Sequence, residues 1–357
     1  MNILVLGGTG VIGNSLVKLY NDANVDVYVT SRRSHKDYGS IHYIVGNAME
    51  EPFLQSVCSK CAWDAIIDFM SYNTETFARR VNVLLSSTKQ YVFISSARVY
   101  GDEEHPINEK SPRLLDCSKD KNFLATDEYS LTKARQENLL TQSGKRNYTI
   151  VRPCITYGPE RLQLGVLEKE EWLYRALHGR SVIFCQEFFD AVTTMTTGND
   201  ICTLLYKIIG NPDAVGECYH LTSAYHRTWQ EILSIYRNAV RRICGVDLKI
   251  KIVPLDPFLK CRHNSLKYQV IYDRLYNRDY DTTKESQLAD TSRFESPENG
   301  LERSLETFVK EKRPFKALNW TYEARKDQLA GEMTPLHEID GFKNKIRYIV
   351  ERYIKRV

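Results

Sequence analysis

Tyr129 and Lys133 stand four residues apart in Glu128-Tyr129-Ser130-Leu131-Thr132-Lys133-Ala134-Arg135, which runs on to Leu140 without Pro or Gly. The spacing predicts a helix with both side chains on one face, a turn apart. A phenol is a poor base at neutral pH, because its ordinary pKa is roughly 10. A fixed ammonium beside it favours the phenolate, and each unit of lowering corresponds to about 1.4 kcal/mol. Tyr129 is therefore a candidate acid/base toward a substrate oxygen, tuned and oriented by Lys133. Taken alone the pair is a weak signal, since any long helix can carry it by chance.

The elements that would position this pair begin at the N-terminus. Ile3-Leu4-Val5-Leu6 is a short apolar run, followed by Gly7-Gly8-Thr9-Gly10-Val11-Ile12-Gly13 and a helical pattern. A buried strand passing through glycines into a helix is the context for binding a dinucleotide. Gly7 permits the tight turn, Gly10 lets the backbone approach a pyrophosphate, and Gly13 lets helix and strand pack closely. Thr9, Val11 and Ile12 share that turn, whose helix amides and dipole face the phosphates. A second strand over 25–29 ends in Thr30-Ser31-Arg32-Arg33, with no carboxylate at its tip. A carboxylate there would accept from the ribose hydroxyls and repel a 2′-phosphate. Ser31, Arg32 and Arg33 instead favour one, so NADP(H) is expected over NAD(H). A third strand over 41–45 leads to Asn47 and Ala48, expected beside the adenine. The fourth, 63–69, ends at Phe69 in the cofactor cleft, and the fifth, 90–94, ends in Ser95-Ser96-Ala97-Arg98-Val99-Tyr100-Gly101. Strands and helices alternating at this spacing predict an α/β fold, a doubly wound parallel sheet with ligands at the carboxyl ends of its strands.

Four ordered motifs give the chain its resemblance to a known family: GGTGVIG at 7–13, SSARVYG at 95–101, YSLTK at 129–133, and Arg152-Pro153 with Tyr157-Gly158-Pro159. The chain resembles the extended short-chain dehydrogenases/reductases, the nucleotide-sugar epimerase/dehydratase superfamily. The resemblance implies a Rossmann domain over 1–160, with returning segments near 190–220. It also implies a smaller mixed substrate-binding domain over 161–357, with a C-terminal helical extension. Ser96 would hydrogen-bond the sugar oxygen, Tyr129 would be the acid/base, and Lys133 would also hold the nicotinamide ribose, with Pro153 beside the nicotinamide. Arg98, Tyr100, Tyr157, Arg161, Arg175 and Arg274 are candidates for binding a sugar nucleotide. Relatives that dehydrate the sugar carry an Asp-Glu pair where this chain has Ala97-Arg98, so a 4,6-dehydratase is not expected. The usual Asn-x-x-Gly-Thr helix is also missing, and the segment resembles a shorter branch that includes chloroplast RNA-binding proteins.

Further along, 102–127 reads as a long loop over the active site and 160–179 as a helix. Asp200 is expected near a helix start, and Thr228-Trp229-Gln230-Glu231 marks a capped helix. The run 272–284, dense in Tyr, Arg and Asp, is a candidate for closing over the nucleotide. From Phe342 to Val357 a basic amphipathic helix is expected, with Ile346, Ile349, Tyr353 and Ile354 on its apolar side. Packing on the body or on a second subunit, as in a homodimer, is expected for it rather than membrane contact.

With 357 residues, 42% hydrophobic and 26% charged, the chain suits a globular cytoplasmic protein. The net charge of +4 argues against a nucleic-acid binder. No run approaches the ~18 apolar residues of a membrane helix, and no signal peptide is expected. Nine cysteines fit reduced thiols, Cys58 and Cys61 form a lone CxxC, and no metal-ligand set is legible. Three functions remain. One is an NADP(H)-dependent reductase of a nucleotide-linked keto sugar, and another is a sugar epimerase with tightly held cofactor. The third is a non-catalytic cofactor- or RNA-binding protein on the same fold.

Overall fold

The computed structural model describes residues 1–355, apart from the Val11 side chain. It divides into two compact units. The first comprises Met1–Thr156, Thr194–Ala224 and Asp279–Glu295; the second comprises Tyr157–Thr193, Tyr225–Arg278 and Ser296 onward. The return through 279–295 has no counterpart in the sequence reading.

The first unit is built on a seven-stranded sheet. Its strands are β1 (Asn2–Leu6), β2 (Asp26–Ser31), β3 (Ile41–Val45), β4 (Trp63–Asp68), β5 (Thr88–Ile94), β6 (Tyr148–Pro153) and Cys218–Leu221. Their order across the sheet is β3-β2-β1-β4-β5-β6 and then Cys218–Leu221, all parallel. Residue alternation on β1 sends side chains to two cores. Ile3 and Val5 join Val29, Ile67, Val92 and Val151 on one face, covered by helix α1 (Val11–Asp22) and the helix Gly198–Ile208. Leu4 and Leu6 join Ile66, Tyr91 and Phe93 on the other, covered by α2 (Glu51–Cys58) and α3 (Thr74–Ser86). Burial on both faces explains why these strands read as continuous apolar runs. Mid-sheet, the Gln90 amide donates to Thr149 Oγ1 at 2.9 Å and to the Ile208 carbonyl at 3.1 Å, which satisfies a polar group without water.

The loop expected over 102–127 is tied down rather than loose. Ile107, Leu114 and Phe123 are buried, and Arg113 donates to the Ala134 carbonyl, Glu137 and Asn138 of the helix Tyr129–Gln142. Thr197 caps the helix Gly198–Ile208, accepting from the Asp200 amide at 3.1 Å.

The second unit contains a two-stranded parallel sheet, Val182–Cys185 with Ile250–Val253, and helices Trp229–Cys244, Pro297–Lys310, Trp320–Ala330 and Phe342–Ile349. The first of these helices starts in a capping box between Thr228 and Glu231. The helix expected over 160–179 is only Leu173–Leu177. Tight turns at Gly158–Arg161 and Leu164–Leu167, with Gly165 at φ +62°, replace the rest. Leu162, Leu164, Val166 and Leu167 are buried there without helical geometry, so apolar spacing alone misled. The C-terminal helix is present, but the side expected to be apolar does not pack on the body of this chain. Ile346, Ile349, Tyr353 and Ile354 are exposed, whereas Tyr348 is buried and donates its hydroxyl to Asp327 at 2.6 Å. The last two residues of the expected segment lie outside the described residues.

Candidate active site

The carboxyl end of β5 gathers the chemically competent groups. Ser96 leaves the strand extended and opens a short turn, its Oγ accepting from the Arg98 amide at 3.2 Å. The helix Tyr129–Gln142 is capped by Glu128, one of whose oxygens accepts from the Ser130 amide at 2.7 Å. The other accepts from the Arg98 guanidinium at 2.5 Å, and this guanidinium lies 5.1 Å from the Tyr129 ring centroid. One turn on, Lys133 Nζ donates to the Ile94 carbonyl at 2.8 Å and sits 5.9 Å from the same ring. Ser96 and Tyr129 are thus both tied to Arg98, while Lys133 is tied to the strand that carries Ser96. Exposure separates their roles: Lys133 is 4% exposed and Ser96 8%, but Tyr129 is 42%. The phenol is the group that can meet a ligand in the open.

Burial pushes the Lys133 ammonium down to about 8, while the carboxylates of Asp68 and Glu137 pull it back toward the charged form. Asp68 at the end of β4 is pushed up to about 6 by burial, opposed by the Met70 amide, the Tyr91 and Tyr72 hydroxyls and Lys133. Asp68, Tyr91 and Glu128 were not singled out from the sequence, and nothing short of the fold reveals them. Because Lys133 loses its proton as pH rises through about 8, kcat/KM is expected to fall above that pH. The pH–rate profile checks this against Lys133→Met, in which that limb disappears. A limb unchanged in the variant would take Lys133 out of the titration.

At the ends of β1 and β2 lies a cleft of about 390 Å³, lined by Gly7, Thr9, Ser31, Arg32, Asn47, Ala48 and four further residues of the sheet edge, Thr30, Met49, Met70 and Ser71, besides Gly46. Gly7 has φ +70°, and a Cβ there would meet Met70 Sδ at 2.6 Å, so only glycine fits the turn. A Cβ on Gly13 would meet the Gly8 carbonyl oxygen at 2.4 Å, the close helix–strand approach expected of it. Around Gly10 a Cβ would meet nothing within 4 Å, which leaves the backbone open to a large anion. Gly10 starts α1 with no side-chain cap and no acidic residue in the first turn, so the helix amides face outward unsatisfied by side chains. These features fit a dinucleotide phosphate. Arg32 and Arg33 are exposed, and no carboxylate is among the lining residues. Ser31 Oγ accepts from the Arg33 amide at 3.1 Å and meets His35 Nε2 at 3.1 Å.

Other expected positions fall outside this cleft. Ile12 and Phe69 pack partly into the core, and Met70 and Ser71 line the cleft where Phe69 was expected. Val11 keeps its backbone in α1, and its side chain lies outside the described residues. Pro153 ends β6, paired in register with Leu221.

Four substrate candidates need correction. Tyr100 has no exposed surface; its hydroxyl meets His220 Nε2 at 2.6 Å and accepts from Arg152 at 2.5 Å. Tyr157 is buried in the second unit, so close to Gly300 that a Cβ there would clash with its ring. Arg175 is fully buried among Glu323 at 2.9 Å, Asp327 at 2.8 Å and Glu332 at 3.3 Å. Arg274 is buried against Asp273 and the Gly165 carbonyl, and lies 5.7 Å from the Trp229 ring. Each guanidinium is held by internal partners and has no surface for a diphosphate. The same holds for the first part of the 272–284 run, where Arg278 pairs with Asp273 at 3.1 Å. Arg161 is exposed in the second unit, near Glu168 at 3.4 Å.

Among the described residues no helix is long and apolar enough to cross a membrane. No curated protein matches the chain. Its fold is similar to that of a UDP-glucuronic acid 4-epimerase from Bacillus cereus solved with NAD, at 14% identity, TM-score 0.64, covering 87% of this chain and 97% of that one. An epimerase from Methanothermobacter thermautotrophicus is similar at 18% identity, TM-score 0.66, covering 87% and 93%. A dTDP-glucose 4,6-dehydratase from Bacillus anthracis is similar at 18% identity, TM-score 0.64, covering 88% and 97%. The sequence pattern of the NAD-dependent epimerase/dehydratase family matches residues 3–217, the span that carries the glycine turn, Ser96 and the Tyr129–Lys133 helix, and the chain belongs to that family.

Proposed function

We propose that the protein is an NADP(H)-dependent reductase of a keto sugar carried on a nucleotide. The observation that carries this reading is one exposed phenol, Tyr129, held between the Arg98 guanidinium and the Lys133 ammonium at the end of β5. Gly7, Thr9, Gly10, Asn47 and Ala48 would hold the dinucleotide, and Lys133 its nicotinamide ribose. The bound nicotinamide supplies or accepts a hydride. Ser96 Oγ hydrogen-bonds the sugar oxygen, and the Tyr129 hydroxyl passes its proton to that oxygen as the carbonyl is reduced. In the reverse direction Tyr129 takes the proton back. Lys133 keeps the resulting phenolate favourable.

Arg32 supports the choice of NADP(H), since its exposed guanidinium lines the cleft with no carboxylate beside it. Against this stands the NAD in the structure of the Bacillus cereus relative. Arg32→Ala is expected to weaken NADPH roughly tenfold and NADH hardly at all, as for loss of one charge-assisted hydrogen bond. Titration of both cofactors checks it, and equal effects would undo the preference.

An epimerase is the second reading, favoured by what the structural relatives are. It uses the same three side chains and returns its cofactor unchanged. Ala97 and Arg98, where dehydrating relatives carry acids, speak against elimination. Incubation with a panel of nucleotide-linked sugars and keto sugars separates the two. NADPH consumed one for one with sugar supports the reductase; an inverted sugar with no net consumption supports the epimerase.

A further inference from the structure

Three segments far apart in sequence bring Glu109, His220 and Glu285 together in the first unit, with a ligand atom from each within 4.8 Å of the others. His220 and Glu285 are fully buried, and Glu109 partly so. Thr222 donates to Glu285 Oε1 at 2.8 Å, but Glu285 Oε2 has no hydrogen-bond partner among the described residues; His220 Nδ1 makes no close hydrogen bond there either, with the Asp281 backbone its weak neighbour. Glu109 Oε1 accepts from the His220 amide at 3.3 Å. The nearby cations are committed elsewhere: Lys284 Nζ lies 2.6 Å from Glu217, and Arg152 lies 2.7 Å from Glu137. A buried carboxylate beside a second carboxylate, with a bare oxygen, is strongly disfavoured unless a proton or a cation joins it.

We propose that Glu109, His220 and Glu285 form a binding site for a divalent metal ion of the zinc class. One imidazole and two carboxylates make a three-ligand nitrogen–oxygen set with a fourth position for water, which suits zinc, whereas calcium and magnesium take oxygen ligands. The second shell has the right form. His220 Nε2 meets the Tyr100 hydroxyl, itself anchored by Arg152, which orients the ring; in the tautomer with the proton on Nε2, Nδ1 is left for the metal. Tetrahedral bonds of about 2.1 Å put ligand atoms ~3.4 Å apart, so the set closes on binding, chiefly by movement of the less buried Glu109. The ion would join the loop between β5 and the catalytic helix to the strand Cys218–Leu221 and the returning segment 279–295. The sequence conceals this set because no two of its members are neighbours in the chain.

Untagged protein, stripped with a chelator, is titrated with zinc by calorimetry, and its metal content and thermal midpoint are measured. The expected result is one ion per chain and a midpoint raised by about 4 °C at hundredfold excess over Kd. Glu285→Gln is expected to weaken zinc binding at least ~10-fold while far-UV circular dichroism stays unchanged. Should that variant not fold, Glu109→Gln at the partly exposed position carries the same expectation. Failure of the wild type to take up stoichiometric zinc would overturn the site, as would equal uptake by the folded variant; Glu285 would then be a protonated acid bonded within the core.

Discussion

Replacing Tyr129 with phenylalanine is expected to lower turnover at least ~100-fold while leaving cofactor affinity within about threefold of its starting value. The ring is kept, so the contact with the Arg98 guanidinium at 5.1 Å survives and the helix start is undisturbed. What is lost is a single hydroxyl, on the one exposed residue of the three assigned to the reaction. Lys133 cannot replace it: buried, it donates to the Ile94 carbonyl. Ser96 cannot either, because an aliphatic hydroxyl is a far weaker acid than a phenol and neither gives nor takes a proton readily at neutral pH. Steady-state turnover and cofactor titration on the same preparation make the test. Turnover within a few-fold of the original would remove Tyr129 from the chemistry and leave the fold as a binding scaffold.

How far the chain discloses itself depends on whether a feature is local. The glycine turn was legible because Gly7, Gly10 and Gly13 act through their own backbone, and the strands because burial on both faces leaves unbroken apolar runs. The relation of Tyr129 to Lys133 was legible because a helix fixes neighbours at four residues. Arginines were not. Arg175 and Arg274 read as free cations for a diphosphate, but their carboxylate partners include residues more than a hundred positions away as well as an immediate neighbour. Which cation is spent internally is a property of the fold: of the candidate arginines, Arg32, Arg33 and Arg161 are exposed and Arg98 partly so. The 160–179 error has a similar origin, since apolar spacing reports burial and does not choose between a helix and a set of turns.

Glu137→Leu is expected to destabilise the protein by about 3–5 kcal/mol at pH 7, the range for breaking a buried ion pair by removing one partner. Glu137 is 1% exposed and accepts from Arg152 at 2.7 and 2.9 Å, from Arg113 at 3.1 Å and from Ser95 Oγ at 2.5 Å. Leucine would leave the buried Arg152 guanidinium without its carboxylate. Burial alone would raise the Glu137 carboxyl, but Arg152, Ser95 and Arg113 overcome it and hold the group below the usual glutamate range. The sign follows. An acid with a depressed folded pKa contributes stability that is present above its unfolded value, near 4.3, and is lost as pH falls through the folded one. The penalty for Glu137→Leu should therefore shrink as pH is lowered below about 4, which urea denaturation at several pH values resolves. A penalty under ~1 kcal/mol at pH 7, or one independent of pH, would contradict this role. Position gives the result its functional reach, because Tyr129, Lys133 and Glu137 lie at successive four-residue steps of one helix. The carboxylate that locks this helix to Ser95 and Arg152 sets its register against β5 and β6, and with it the position of Tyr129 two turns earlier. Loss of Glu137 is thus expected to lower kcat even in molecules that remain folded, by misplacing groups it never touches.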